Sequence, residues 1–226
     1  MKKLYLLFGL IFLLLFSVSA QNNPEDSASE QKKHEAINDE IVERKNFILG
    51  IGIKGNVYMN YNGANDLNVW ENPTFGGNLF AGKWFSQYLG SRIVVEGGKL
   101  HPNFLKRTVI IDENYFLSRL DILFDATSCL RKHSPERIYN LIPYLGFGGV
   151  HVFNVKNPID RNVKKSSTAF ALGCGLWNTF RISKSISAYF NMGLDMVDNK
   201  LDGYAGGRMD VNGITSGSIG LIINFD

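Results

Sequence analysis

From Phe47 onward, apolar and polar residues exchange places one at a time, and a period of two dictates extended strands with two unlike faces. In the first run Phe47, Leu49, Ile51, Ile53, Val57 and Met59 share one face, while Gly50, Gly52, Lys54, Asn56, Tyr58 and Asn60 share the other. Residues 185–196 repeat the pattern, with Ile186, Ala188, Phe190, Met192 and Leu194 set against Ser187, Tyr189, Asn191, Gly193 and Asp195. The last run sets Thr215, Ile219, Leu221, Ile223 and Phe225 against Ser216, Ser218, Gly220 and Asn224, with Ile222 out of place among the polar set. Further strands are predicted over 74–85, 88–98, 115–125, 141–153 and 167–180. The one at 115–125 turns Phe116, Leu120, Ile122 and Phe124 one way and Arg119 and Asp121 the other. The runs at 74–85 and 141–153 do not alternate cleanly, and periodicity assigns them no faces. The count is eight, an even number.

The connections differ in length. Ser86-Gln87 and residues 181–184 are short, 126–140 is of middle size, and 62–73, 99–114, 154–166 and 197–212 are long and polar. Asn62-Gly63 and Asn212-Gly213 read as turn signals, and turn chemistry also accounts for His133-Ser134-Pro135. Short turns at one end, long loops at the other and strands of about ten residues are the habit of bacterial outer-membrane barrels.

The N-terminus supports that setting. Lys2 and Lys3 precede an apolar run from Leu4 to Phe16, and Val18-Ser19-Ala20 offers the small residues of a signal-peptidase site, so cleavage is expected after Ala20. An uncleaved membrane anchor is the competing reading, against which the apolar run is short for a span. With no cysteine near the cut, no lipoprotein anchor is expected. Residues 21–46 read as a polar tail with seven acids and four bases, a linker with transient helix where Ser27 and Glu30 have capping-box spacing. The even strand count puts this tail in the periplasm. Residues 47–226 then form the barrel domain. The formal charge is +3, of which Lys2 and Lys3 supply two, so the mature chain is near +1 and gives no electrostatic case for a nucleic-acid partner. No apolar stretch after the signal reaches the length of a membrane helix, so any insertion must use strands.

Two inside-out arrangements compete. A soluble lipocalin-like barrel would turn its apolar faces inward; a membrane barrel turns them to lipid. The apolar faces here are large, and the opposite ones combine Gly, Ser and Asn with isolated charges. Lys54, Arg92, Glu96, Arg119, Asp121 and Asp195 are therefore expected to meet in the lumen, either neutralising one another or forming a gate. Eight-strand lumens are filled by side chains, which favours the structural role. Trp84, Phe85 and Tyr88 beside one turn, Trp177 and Phe180 near another, and Phe225 at the end are expected as interfacial aromatics. Gly146, Gly148, Gly149, Gly173 and Gly175 are expected to relieve crowding in a narrow barrel.

Several segments resemble a known family. The stretch Asn78-Leu79-Phe80-Ala81-Gly82-Lys83-Trp84-Phe85-Ser86 running into Tyr88-Leu89-Gly90-Ser91-Arg92 resembles the second hairpin of small OmpA-type outer-membrane barrels. So does Tyr139-Asn140-Leu141-Ile142-Pro143-Tyr144-Leu145-Gly146-Phe147-Gly148, with its Pro-Tyr-x-Gly-x-Gly pattern, and Gly217 to Phe225 is similar to the C-terminal signal by which barrels are assembled, although Asp226 follows the aromatic. The resemblance covers 47–226. It implies an all-β, eight-stranded antiparallel up-and-down transmembrane barrel in the outer membrane of a Gram-negative cell, with short periplasmic turns and longer extracellular loops. It implies as partners outer-membrane lipid and lipopolysaccharide, and the barrel-assembly machinery during insertion. OmpA-type proteins continue into a peptidoglycan-gripping domain, whereas this sequence stops at its eighth strand and resembles the small OmpX-type barrels, so cell-wall tethering is not expected.

Chemistry is sparse. His34, His101, His133 and His151 show no metal-ligand spacing, no stretch has the features of a nucleotide loop, and no cofactor is expected. His151 is the one candidate base for a lipid-modifying enzyme, but no serine neighbours it on its own strand face. Cys129, in a turn, and Cys174, outward in mid-strand, are expected as free thiols. The expected role is structural or interactive, through membrane integrity and surface-loop contacts with an unidentified ligand, and not enzymatic. The alternatives are a narrow gated pore for ions or small solutes, an accessory subunit of a secretion or assembly complex, and a membrane-embedded lipid enzyme.

Overall fold

The computed structural model describes residues 47–59, 73–101, 103–104, 109–110, 112–130, 137–156, 166–198 and 211–225. The expected signal peptide with its cut after Ala20, the 21–46 tail, His34, His133 and Asn62-Gly63 lie outside the described residues.

Among the described residues ten strands follow one another: β1 (Phe47–Met59), β2 (Thr74–Trp84), β3 (Leu89–Leu100), β4 (Asn103–Phe104), β5 (Val109–Ile110), β6 (Asp112–Phe124), β7 (Tyr139–Lys156), β8 (Ser166–Arg181), β9 (Ile186–Asp198) and β10 (Val211–Phe225). Eight of them close into one barrel in the order β1-β10-β9-β8-β7-β6-β3-β2, every pair antiparallel. The remaining two, β4 and β5, form a two-residue ladder within the β3–β6 connection. Closure through β1 and β10 leaves no unpaired edge, as the bilayer demands of any strand-built span.

The turn end is tight. Phe85 and Ser86 amides both donate to the Leu89 carbonyl, at 2.9 and 3.1 Å, and Ile182 and Ser183 bond to Ile186 in the same way, at 3.0 and 2.9 Å. The middle-sized connection contains α1 (Ala126–Leu130). Asp125 caps it: its carboxylate accepts the Ser128 amide and the Ser128 hydroxyl, each at 2.9 Å.

Near the other end a bulge interrupts the β6–β7 ladder, where Asp112 pairs with Lys156 but Asn114 with Phe153. The extra residue falls on β7, at Asn154, whose φ of 55° lies in the left-handed region that Asn tolerates better than most residues. Beyond the bulge the facing is reset, so that Val155 packs inward.

Several boundaries differ from the sequence expectation. The strands run on into segments read as loop, and Asn212-Gly213 is not a turn but ladder, with Asn212 opposite Val197 and Gly213 opposite both Met196 and Met59. Pairing on both sides supplies ladder partners that the local sequence could not reveal.

Charged side chains sort by face. Ile51, Ile53, Phe75, Ile93, Leu145, Phe170 and Ile219 stand exposed outside, while Lys54, Arg92, Glu96, Arg119, Asp121 and Asp195 are buried inside. An apolar exterior around an interior that holds the charges is the membrane arrangement, not the lipocalin-like one. No helix among the described residues is long and apolar enough to cross a membrane, which says nothing of strands.

Candidate functional site

The lumen is built from the inward half of each strand, and it is layered. Toward the turn end Ile48, Phe80, Trp84, Val94, Leu123, Ile142, Tyr144, Trp177, Tyr189 and Ile222 form one buried cluster. Ile222, out of pattern in the sequence, is thus part of this layer. Toward the loop end Leu100, Tyr115, Leu117, Val150, Val152, Ala169, Ala171, Val197 and Ile214 form another.

Between the layers the six charged residues form an alternating chain. Glu96 accepts from Lys54, and Lys54 Nζ lies 3.9 Å from Asp195 Oδ2. Asp195 accepts from Arg119, whose Nε also donates to Asp121 Oδ1 at 2.5 Å. Asp121 Oδ2 accepts from Arg92 Nε at 2.9 Å. Three cations and three anions leave the chain neutral. Each stands beside an opposite charge, which offsets the large cost of removing it from water. Arg92 ends the chain against an aromatic cage, its Cζ 4.4 Å from the Trp177 ring centroid, 4.8 Å from Tyr144 and 5.2 Å from Phe80. A guanidinium over aromatic faces is attracted by their quadrupoles.

Glycine makes the space. A Cβ at Gly146 would strike Asp121 and Arg119, one at Gly173 would strike Arg119 and Asp195, and one at Gly175 or Gly193 would come within 2.6 Å of Tyr144 Oη. Gly148 is likewise inward and crowded by the β6 backbone. Gly149 departs from the crowding expectation: it faces outward, and a Cβ there would meet only Ala169 O, at 3.7 Å.

The structure therefore brings together all six expected lumen charges. Two of the expected interfacial aromatics must be corrected. Trp84 and Trp177 are each 1% exposed and stand inside the barrel, because they share inward facing with Phe80 on β2 and with Ala169 and Ala171 on β8. Phe85, Tyr88, Phe180 and Phe225 are exposed at the turn end. The sequence reading missed the aromatic cage. Its signal was available only in part, since Phe80 and Tyr144 lie on the two strands whose faces alternation left open.

Cys129 and Cys174 are free thiols, on α1 and on the outer face of β8. His151 also points outward. Its Nδ1 lies 2.7 Å from Thr168 Oγ1 on the neighbouring strand, and its ring stacks on Phe153 with centroids 6.1 Å apart. Among the described residues no group of three or more His, Cys, Asp or Glu could hold a metal ion.

Two relatives match in sequence. Outer membrane protein 40 of Porphyromonas gingivalis is 29% identical over 148 residues, 64% of this chain and 35% of that protein. Outer membrane protein 41 of the same organism is 24% identical over 189 residues, 82% of this chain and 46% of that protein. This is an outer-membrane β-barrel protein. The fold has a solved counterpart in Neisserial surface protein A, with a TM-score of 0.51 at 12% identity, covering 79% of this chain and 97% of that one. The likeness to small OmpA- and OmpX-type barrels agrees with both findings. No family model matches the chain. This outer-membrane protein spans less than half the length of the two relatives, so the activities of those longer proteins do not transfer with the likeness.

Proposed function

We propose that the barrel is closed and non-conducting, and that it serves the outer membrane as a structural and interaction protein rather than as a pore or an enzyme. The observation that carries this reading is the neutral ion-pair chain sealed between two apolar layers. Trp84 and Trp177 on one side, and Leu117, Val150 and Val152 on the other, are at most 1% exposed. A hydrated ion would have to part both layers and then break buried pairs, each strongly resistant to losing a partner. Contacts with the surroundings then belong to the lipid-facing belt and to the connections at either end.

Planar-bilayer recording on the purified full-length protein tests this. No unitary conductance above the bare bilayer is expected. Stable openings altered by Arg92→Ala or Glu96→Gln would replace the reading with a gated pore, which the charges spanning the lumen would then serve.

The same proposal includes the N-terminal organisation. Residues 1–20 are removed after Ala20, residues 21–46 form a periplasmic tail, and the barrel-assembly machinery inserts 47–226. Terminal sequencing of protein from isolated outer membranes is expected to begin at Gln21. Co-purification of a periplasmic partner that disappears when 22–44 is deleted would favour an accessory role in a secretion or assembly complex.

A further inference from the structure

The outer face of the barrel is apolar nearly throughout, and one sector toward the long loops breaks that rule. Two adjacent rows of outward residues cross it. In the upper row Lys99 on β3 pairs with Asn114 on β6, which pairs with Phe153 on β7. In the row below, Phe116 on β6 pairs with His151 on β7, which pairs with Thr168 on β8. Lys99, Phe116, His151 and Thr168 are all exposed. Directly paired side chains in a ladder stand about 5 Å apart at Cβ, so the six form one continuous patch, about 14 Å across at the usual strand spacing.

Its height is set by β7. Outward residues run from Tyr139 at the turn end through Leu145 and Phe147 to His151, twelve residues further on. At roughly 3.3 Å per residue and a tilt of about 40°, that is about 30 Å along the barrel axis, beyond an apolar band about 25 Å tall. His151 and Thr168 therefore stand where acyl chains end and headgroups begin.

The chemistry of the patch is specific. Thr168 Oγ1 lies 2.7 Å from Nδ1 of His151, which restrains the ring of this exposed residue. Phe153 stacks on the same ring, with planes 17° apart. Lys99 adds a full positive charge, Asn114 an amide, and Phe116 and Phe153 flat apolar faces. Among the described residues Asp112 is the acid on the outer face of these four strands, and it is held by His101 Nε2 at 2.9 Å. Across the barrel, the outward positions Phe75, Val57, Thr215 and Gly213 offer no basic group. Cation, imidazole, amide and hydroxyl interleaved with aromatic faces suit a sugar that carries phosphate.

We propose that this sector of β3, β6, β7 and β8 is a binding site for the headgroup of a phosphorylated glycolipid of the outer leaflet. Lys99 and His151 contact phosphate, Asn114 and Thr168 contact sugar hydroxyls, and Phe116 and Phe153 support the ring. The site rests on the outer-membrane setting and is independent of whether the lumen conducts.

The test measures binding of the purified full-length protein in detergent to diphosphorylated lipid A, against vesicles of phosphatidylethanolamine with phosphatidylglycerol. Wild type is expected to prefer lipid A, and a Lys99→Ala/His151→Phe/Thr168→Val variant to bind it about tenfold more weakly, the loss of one charged hydrogen bond or more. A Leu145→Ala control on the same strand is expected to bind as wild type. Heat-dependent gel mobility verifies that each variant is a closed barrel. Equal binding of both lipids by wild type, or unchanged lipid A affinity in a folded triple variant, would overturn the site. Loss of lipid A binding is read separately from bilayer conductance, so the failure of either proposal leaves the other standing.

Discussion

Arg119 shows how much a single lumen residue organises. Its guanidinium joins Asp121 to Asp195 across the barrel, and both carboxylates are no more than 1% exposed. Arg119→Ala takes the hydrogen-bonded cation from Asp195 and one of two from Asp121, leaving Lys54 3.9 Å from Asp195 and Arg92 2.9 Å from Asp121, so it is expected to lower stability by about 3 kcal/mol, read as a fall in the urea midpoint of the detergent-folded barrel. The pair formed by Lys54 and Glu96 permits a sharper comparison. Lys54→Met alone leaves Glu96 uncompensated, whereas Lys54→Met with Glu96→Met replaces charge by packing and is expected to regain most of the loss. A midpoint for the double variant below that of the single one would refute this. Glycine divides in the same way. Gly146→Ala collides with Asp121 and Arg119 and is expected to cost about 1–3 kcal/mol, while Gly217→Ala enters open space on the outer face and is expected to be neutral or stabilising. Unfolding midpoints of the two variants measured side by side check both signs.

At the scale of the element, legibility depended on what each strand faces. Strands β1, β9 and β10 read clearly, because their inward positions carry Lys54, Asn56, Asn191, Asp195, Ser216 and Ser218 opposite lipid-facing aliphatics. Strand β7 did not. Its inward set is Ile142, Tyr144, Gly146, Gly148, Val150 and Val152, and its outward set includes Leu145, Phe147 and Phe153. A strand that contributes to both apolar lumen layers is apolar on both faces, so alternation carries no signal there. Strand β2 hides its facing for the related reason that Phe80 and Trp84 point inward. Connections follow local chemistry more faithfully, and α1 depends on its cap. Asp125→Ala removes both hydrogen bonds to Ser128 and is expected to speed amide exchange at Ser128 and Cys129 about five- to tenfold, with the barrel strands unchanged.

For the molecule as a whole, stability and closure come from the same layered lumen. Because two layers seal it, truncating one leaves the other in place. Trp84→Ala with Trp177→Ala is expected to stay electrically silent in a planar bilayer, and conductance is expected only when Leu117→Ala and Val150→Gly are added and Arg119→Ala breaks the ion-pair chain between the layers. Openings from the first pair alone would mean that the loop-end layer does not exclude water. The unboiled protein is expected to migrate at a different apparent mass from the boiled one, since a closed ladder without edges resists detergent until heated.

Local periodicity by itself determined the strands, their even number, the exterior that meets lipid and the identity of the six lumen charges. Each of these depends only on which residues lie two apart along an extended chain. Tertiary structure decided the rest. The side to which Trp84 and Trp177 point, the order in which the six charges pair, the aromatic cage around Arg92 and the outward meeting of His151 with Thr168 all join residues distant in sequence. Those contacts exist only because closure and stagger fix which strand stands beside which and at what height. A period of two assigns a residue to one of two faces; register alone decides what it meets there.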